Sequence, residues 1–236
     1  MPDYLSRIRI NPHRAAARRL LTDPTQLKAA VYGGMPTQPV TRRVLWRLDG
    51  DNVHQPVLYV VSPERPSFEH LVEQAGWPGA ESPQVETADY TSFLARLREG
   101  ERFGFRLTAN PTYVTTIVDP KHGAKKVRAA HKTVEHQTRW LTERAEGAGL
   151  RIEPANRAAS PDNEVLDLLV AGRRRQRFRR GAGHVTIDMV TFVGHLTVED
   201  VDRLRVVLTE GLGRAKGYGC GMFTLAPAAR PAHGVA

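Results

Sequence analysis

Five glycines fall within the eleven residues Gly211-Leu-Gly-Arg-Ala-Lys-Gly-Tyr-Gly-Cys-Gly221, with Arg214 and Lys216 between them. Glycine gives up side-chain packing and loses more backbone entropy on folding than any other residue. Five together ask for a backbone surface without Cβ atoms, pressed close to another chain or to a phosphate. The spacing excludes two nucleotide-binding folds. A dinucleotide fingerprint needs G-x-G-x-x-G after a strand and before a helix. Here the third glycine would fall on Lys216, and the run follows a helical pattern. A Walker loop needs Gly-Lys followed by Ser or Thr, which the run lacks. A helix C-cap explains Gly211 and at most Gly213. Gly217, Gly219 and Gly221 need a further reason, and the two cations point to a nucleic-acid backbone.

Element order fixes the fold class. Leu5 to Ile10 alternates as a strand, with Ile8 and Ile10 on one face and Arg7 and Arg9 on the other. Asn11-Pro12 and Asp23-Pro24 each read as an N-cap followed by proline in the first turn. They predict helices over about 12–21 and 24–33. Arg43 to Leu48 and Val57 to Val61 read as strands, Ser67 as the cap of a third helix, and 84–90 as a closing strand. The second half repeats this order. Arg102–Leu107, Val165–Val170, His184–Gly194 and Met222–Leu225 are its strands. Val134–Ala148 is one helix, and Thr197, with Asp200 three residues on, caps another. Two β-α-β-β-α-β units predict an α+β chain of two tandem ferredoxin-like modules. We expect them to span 1–88 and 89–228, with 229–236 a disordered tail.

Charge narrows the partner. Lys and Arg number 34 against 25 acids in 236 residues, a net charge of +9. That balance favours a polyanion. Acids crowd 64–89, whereas bases crowd 121–132 and 173–180. The second basic run holds six arginines in eight residues: Arg173, Arg174, Arg175, Arg177, Arg179 and Arg180. It is expected to join two strands of the second module as a basic hairpin for a nucleic-acid groove. Lys121, Lys125, Lys126, Arg128 and Lys132 form the first run, between a strand and a helix. It reads equally as a phosphate site or a solvated loop. No apolar run approaches the roughly 20 residues that span a bilayer, and the N-terminus does not read as a signal peptide. The single cysteine, Cys220, excludes an internal disulfide and fits a reducing cytoplasm. No Cys/His spacing resembles a metal site, and no cofactor is expected.

Several stretches resemble one family. Tyr4-Leu-Ser-Arg-Ile-Arg-Ile-Asn-Pro12 followed by Ala17-Arg-Arg-Leu-Leu21 is similar to the opening of the CasE family. Phe105-Arg-Leu-Thr-Ala-Asn-Pro111 resembles its second-domain strand. Phe192-Val-Gly-His-Leu-Thr-Val198 and the glycine run through Met222 resemble its C-terminal signature. These are the endoribonucleases that process CRISPR repeat RNA in type I-E Cascade systems. The resemblance implies metal-independent cleavage at the base of each repeat stem-loop by attack of the ribose 2′-OH. It implies retention of the product with other Cascade subunits in antiviral defence. Gly211, Gly213, Arg214, Lys216, Gly217, Gly219 and Gly221 become candidate RNA contacts, beside Lys125, Lys126, Arg128 and the arginine run. When free, the protein is expected to be a monomer.

The departure lies where catalysis should be. The family carries a stretch like Asn-Pro-Tyr-x-x-His on a helix of the first module. Here it reads Asp23-Pro-Thr-Gln-Leu-Lys28. Thr25 stands for the tyrosine and Lys28 for the histidine. An ammonium group with the ordinary pKa of about 10.4 is a poor base at neutral pH but a good stabiliser of negative charge. Neighbouring positive charge lowers such a pKa and brings base catalysis within reach. A slow or inactive nuclease that works as a stem-loop binder, and a plain surface lysine, complete the alternatives.

Overall fold

The computed structural model describes residues 3–37, 40, 42–77, 79–119, 123–155 and 165–228. The expected tail, 229–236, lies outside the described residues, as do Lys121 and His122 of the first basic run.

The first module runs β1 (Tyr4–Arg9), α1 (Ala15–Thr22), α2 (Pro24–Gly33), β2 (Leu45–Asp49), β3 (Val57–Ser62), α3 (Glu69–Ala75) and β4 (Val85–Asp89). Its strands are antiparallel in the order β2-β3-β1-β4, the ferredoxin-like arrangement. Alternation places Ile8, Trp46, Leu58 and Val60 on one face, buried against Leu27, Val31 and Leu71 of the helices. Asp23 caps α2, accepting from the Thr25 amide at 2.8 Å, with Pro24 in the first turn. Asn11 does not cap α1. Its carboxamide oxygen accepts from the His13 amide in a local turn, and the helix begins at Ala15. Ser67 is not a cap either, because α3 starts behind Phe68 without a side-chain cap.

The second module runs α4 (Tyr90–Arg96), β5 (Arg102–Ala109), β6 (Thr112–Asp119), β7 (Gly123–Ala130), α5 (Val134–Ala145), β8 (Leu150–Ile152), β9 (Leu168–Arg180), β10 (Gly183–Val198), α6 (Val201–Glu210) and β11 (Phe223–Pro227). β11, β5 and β10 are neighbours, and β8 and β9 share the far edge of β10. β8 meets Leu196–Val198 and β9 meets Gly183–Gly194. Taken together as one strand, they restore the ferredoxin-like order. Three expectations change. Lys125, Lys126 and Arg128 lie in β7 of a separate two-stranded ribbon rather than in a loop. The arginine run is β9 itself rather than a connection between strands. Thr197 belongs to β10, and Asp200 caps α6, accepting from the Arg203 amide at 2.9 Å.

A buried arginine joins the modules. Arg47 of β2 is 2% exposed and donates to the carbonyls of Arg106 (3.0 Å) and Met222 (3.2 Å) and to Thr224 Oγ1 (2.9 Å). Its guanidinium also pairs with both oxygens of Asp49 and lies over the Tyr59 ring. Around it, Leu45 and Val61 of the first sheet share a core with Leu107, Met222 and Phe223 of the second. Both faces of the first sheet are therefore covered, one by its helices and one by the second module.

Candidate nucleic-acid interface

Lys28 sits in the second turn of α2. The helix start that carries it is held by Asp23, which accepts from the Thr25 amide and from Thr25 Oγ1 at 2.6 Å. Partial burial raises the Asp23 carboxyl, but these bonds and those of Gln26 outweigh it and hold the group below its ordinary value. The Thr25 hydroxyl is thus committed to the cap. The Lys28 ammonium has no carboxylate partner among the described residues; its Nζ lies 5.3 Å from the centroid of the Tyr32 ring, one turn on.

The glycine run reaches α2 from the other module. After α6 it passes through a 3-10 turn, Lys216–Tyr218, that packs on α2 and β2. A Cβ at Gly217 would stand 4.0 Å from Cε and Nζ of Lys28, an ordinary contact distance. The other four glycines meet protein atoms much more closely. A Cβ at Gly219 would fall 2.6 Å from the Trp46 ring, and one at Gly213 2.9 Å from Trp140. At Gly211 it would meet the Gly221 carbonyl at 2.8 Å, and at Gly221 the Leu212 carbonyl at 2.7 Å. The surface without Cβ atoms is pressed onto the protein's own chain at these positions. Arg214 is exposed. Lys216 turns back instead, its ammonium donating to the Glu210 carbonyl at the end of α6 (2.6 Å). Burial, with nearby Arg43, pushes that ammonium below its ordinary pKa.

The arginines form one arm of the β9–β10 hairpin. Register puts Arg173, Arg175, Arg177 and Arg179 on one face with Asp188. Arg174 and Arg180 share the other face with Gln176 and Phe178. Asp188 accepts from Arg175 (2.8 Å) and Lys132 (2.9 Å). Partial burial opposes these bonds, yet they keep its carboxyl below the ordinary range. On the inner face Phe178, Ile187, Met189 and Cys220 form a small core of their own. Tyr218 of the 3-10 turn packs on Phe178, ring centroids 4.7 Å apart. Gln176 reaches the Thr22 carbonyl of α1 at 3.5 Å. Between arm and helices opens a cleft of about 350 Å³, lined by Leu27, Trp46, Arg173, Arg174, Met189 and Gly219 among others.

The structure thus brings Lys28 next to Gly217 and sets Tyr218 of the same turn on the arginine arm, whose Arg173 and Arg174 line the cleft with Gly219. The β6–β7 ribbon, with Lys125, Lys126 and Arg128, stands apart and leads through His131 and Lys132 to the foot of the arm. Sequence reasoning missed Tyr32, Trp46 and Tyr218. The i, i+4 spacing of Lys28 and Tyr32 was the signal available for the first. His70 touches α2 through the Ala30 carbonyl (2.9 Å). Among the described residues no group of three or more His, Cys, Asp or Glu is placed to hold a metal, and no helix is long and apolar enough to cross a membrane.

The chain as a whole is similar to proteins already known. A family model described as CRISPR associated protein matches residues 3–227. The CRISPR-associated endoribonuclease Cse3 of Thermus thermophilus is 28% identical over 228 residues, covering 95% of this chain and all of the relative. The CRISPR system Cascade subunit CasE of Escherichia coli is 30% identical over 205 residues, covering 77% of this chain and 94% of the relative. A solved structure of Thermus thermophilus Cse3, bound to an RNA representing a pre-cleavage complex, superposes with a TM-score of 0.74 at 25% identity. It covers 96% of this chain and all of that one.

Proposed function

The chain belongs to the CasE family of type I-E CRISPR-associated proteins, and on that premise we propose that it binds the stem-loop of CRISPR repeat RNA and cleaves at its base. One observation carries the reading. The Lys28 ammonium, unpaired with any carboxylate of the described residues, faces the Gly217 backbone beside an arm whose outer face bears four arginines. Such a cation can meet a phosphate, and the arm can follow the strands leading to it.

In the proposed reaction the 2′-oxygen bonds to phosphorus while the bond from phosphorus to the 5′-oxygen breaks. The 2′-OH proton passes to solvent and the 5′-oxygen takes one up. The products are a 2′,3′-cyclic phosphate and a 5′-OH. Lys28 acts as the cation that stabilises the phosphorane. The Thr25 hydroxyl, bonded to Asp23, serves through the cap that starts the helix. Arg173, Arg175, Arg177 and Arg179 hold phosphates, with Arg214 at the loop. The product stays with other Cascade subunits, and the site of action is the cytoplasm.

Repeat RNA incubated with the protein in EDTA, beside RNA with a 2′-deoxyribose at the cleavage position, tests this. Cleavage of the deoxy RNA, or a need for magnesium, contradicts the mechanism. Lys28→Ala should slow the single-turnover rate, and an unchanged rate removes Lys28 from the machinery. A second reading has specific support: Lys28 replaces the family histidine, and the Thr25 hydroxyl is already occupied. On that reading the protein protects the stem-loop without cutting it, giving tight binding and no product.

A further inference from the structure

We propose that Tyr32 is a positioning residue, whose ring holds the Lys28 ammonium at the reacting phosphate without neutralising it. The inference rests on the reading of Lys28 given above. Lys28 and Tyr32 are four residues apart and share one side of α2. The ammonium lies 5.3 Å from the ring centroid, within the range of cation–π attraction. Gly217 is a second neighbour, where an added Cβ would stand at ordinary contact distance, 4.0 Å, from Cε and Nζ.

The chemistry favours a ring here over a carboxylate. A carboxylate would also fix the ammonium, but it would cancel the charge and compete with the phosphate for it. An aromatic face attracts the cation through its quadrupole and has no net charge. The flexible four-carbon stem of lysine needs such a restraint, since it carries about 2 kcal/mol of rotamer entropy. The positive surroundings make the restraint more necessary. Lys216, in the same turn as Gly217, is a second cation, with Arg43 near it, and its ammonium is turned away onto the Glu210 carbonyl. Tyr32 also packs against the first core, so its ring is fixed independently of Lys28.

A double-mutant cycle separates positioning from packing. Single-turnover cleavage of repeat RNA is measured at saturating protein for wild type, Tyr32→Leu, Tyr32→Phe, Lys28→Ala and Lys28→Ala/Tyr32→Leu. Tyr32→Leu should slow cleavage by about three- to ten-fold with RNA affinity unchanged. Tyr32→Phe should restore the rate, and Tyr32→Leu should have no further effect on Lys28→Ala. The NMR signals of the Lys28 Hε protons should show a ring-current shift that persists in Tyr32→Phe and vanishes in Tyr32→Leu. A slow Tyr32→Phe enzyme would assign the effect to the hydroxyl and overturn the proposal. So would a Tyr32→Leu rate within twofold of wild type while Lys28→Ala is slow, with the reading of Lys28 surviving. A wild-type rate for Lys28→Ala removes that reading and this inference together.

Discussion

Gly219→Ala and Gly217→Ala make a paired test of what the glycine run is for. At Gly219 the backbone has φ of +83°, in the left-handed region, and a Cβ would stand 2.6 Å from the Trp46 ring. The conformation alone costs alanine about 1–2 kcal/mol. Relieving the overlap requires Trp46, which is 3% exposed and packed in the first core, to move. Overpacking of this kind costs about 1–3 kcal/mol. The sum is roughly 2–5 kcal/mol, a fall in Tm on the order of 4–20 °C for a chain of this size. Gly217 differs on both counts: its φ is not positive, and its added Cβ would meet Lys28 at 4.0 Å. Gly217→Ala should keep stability within about 0.5 kcal/mol of wild type while lowering cleavage, since the methyl faces the Lys28 ammonium. Urea unfolding followed by tryptophan fluorescence reads the stability of both variants, and the single-turnover assay reads activity. If Gly219→Ala is as stable as wild type but fails to bind RNA, the internal account of the run is wrong. The glycine there would then answer to the nucleic acid.

Other outcomes follow from the same contacts. Arg47→Met should destabilise the protein by about 2–5 kcal/mol, because it removes a donor from the buried Met222 carbonyl, the partly buried Arg106 carbonyl and Asp49; denaturant titration measures this. Arg177→Glu/Arg179→Glu alters an exposed face and should leave Tm near wild type. It should weaken RNA binding and reduce the slope of log affinity against log salt by roughly 0.7–0.9 per lost phosphate contact. An unchanged slope would remove the arm's outer face from the interface. Cys220 is fully buried and its thiol is pushed up to about 12, so a thiol reagent should label it only when the loop opens or the chain unfolds. Fast labelling in native buffer would show that the small core under the arm is not closed. The Asp188 carboxyl is lowered in the folded state, so its contribution to stability is complete above about pH 3.8. It is lost as pH falls through the folded pKa. Asp188→Asn should flatten that part of the acid-unfolding profile.

What the sequence disclosed depended on how local each signal was. The paired ferredoxin-like order is readable because strand alternation and the Asp23-Pro24 cap need no knowledge of distant residues. The β6–β7 ribbon escapes such reading because its apolar residues fall on both faces and stay exposed, Tyr113 and Ile117 on one and Val114 and Val118 on the other, while Lys125 and Lys126 look like loop residues until they pair. Thr197 reads as a cap because threonine serves in strands and caps alike, and the length of β10 is set by its partners. Arg47 gives no warning, since a charged residue is almost never fully buried unless paired, and its acceptors lie 59 and 175 residues away. At the proposed site, Lys28 draws notice only because the stretch around it resembles the family motif and departs from it there. Tyr32 lies four residues on, yet its role needs the actual ring distance. The glycines stand out at once while their partners do not, because Trp46 and Trp140 reach them only through the tertiary fold.

The loop between α6 and β11 therefore behaves as a joint, and its sequence should drift as a joint does. A smaller residue at Trp46 would relax the demand at Gly219, and one at Trp140 the demand at Gly213, so selection acts on each pair as a single site. None of these constraints passes through Lys28. On the reading proposed for Lys28, a descendant that stopped cutting RNA would lose the pressure on α2 but still have to close the same seam between its modules. In such a lineage the glycine run would persist as a record of intact assembly after catalysis had gone.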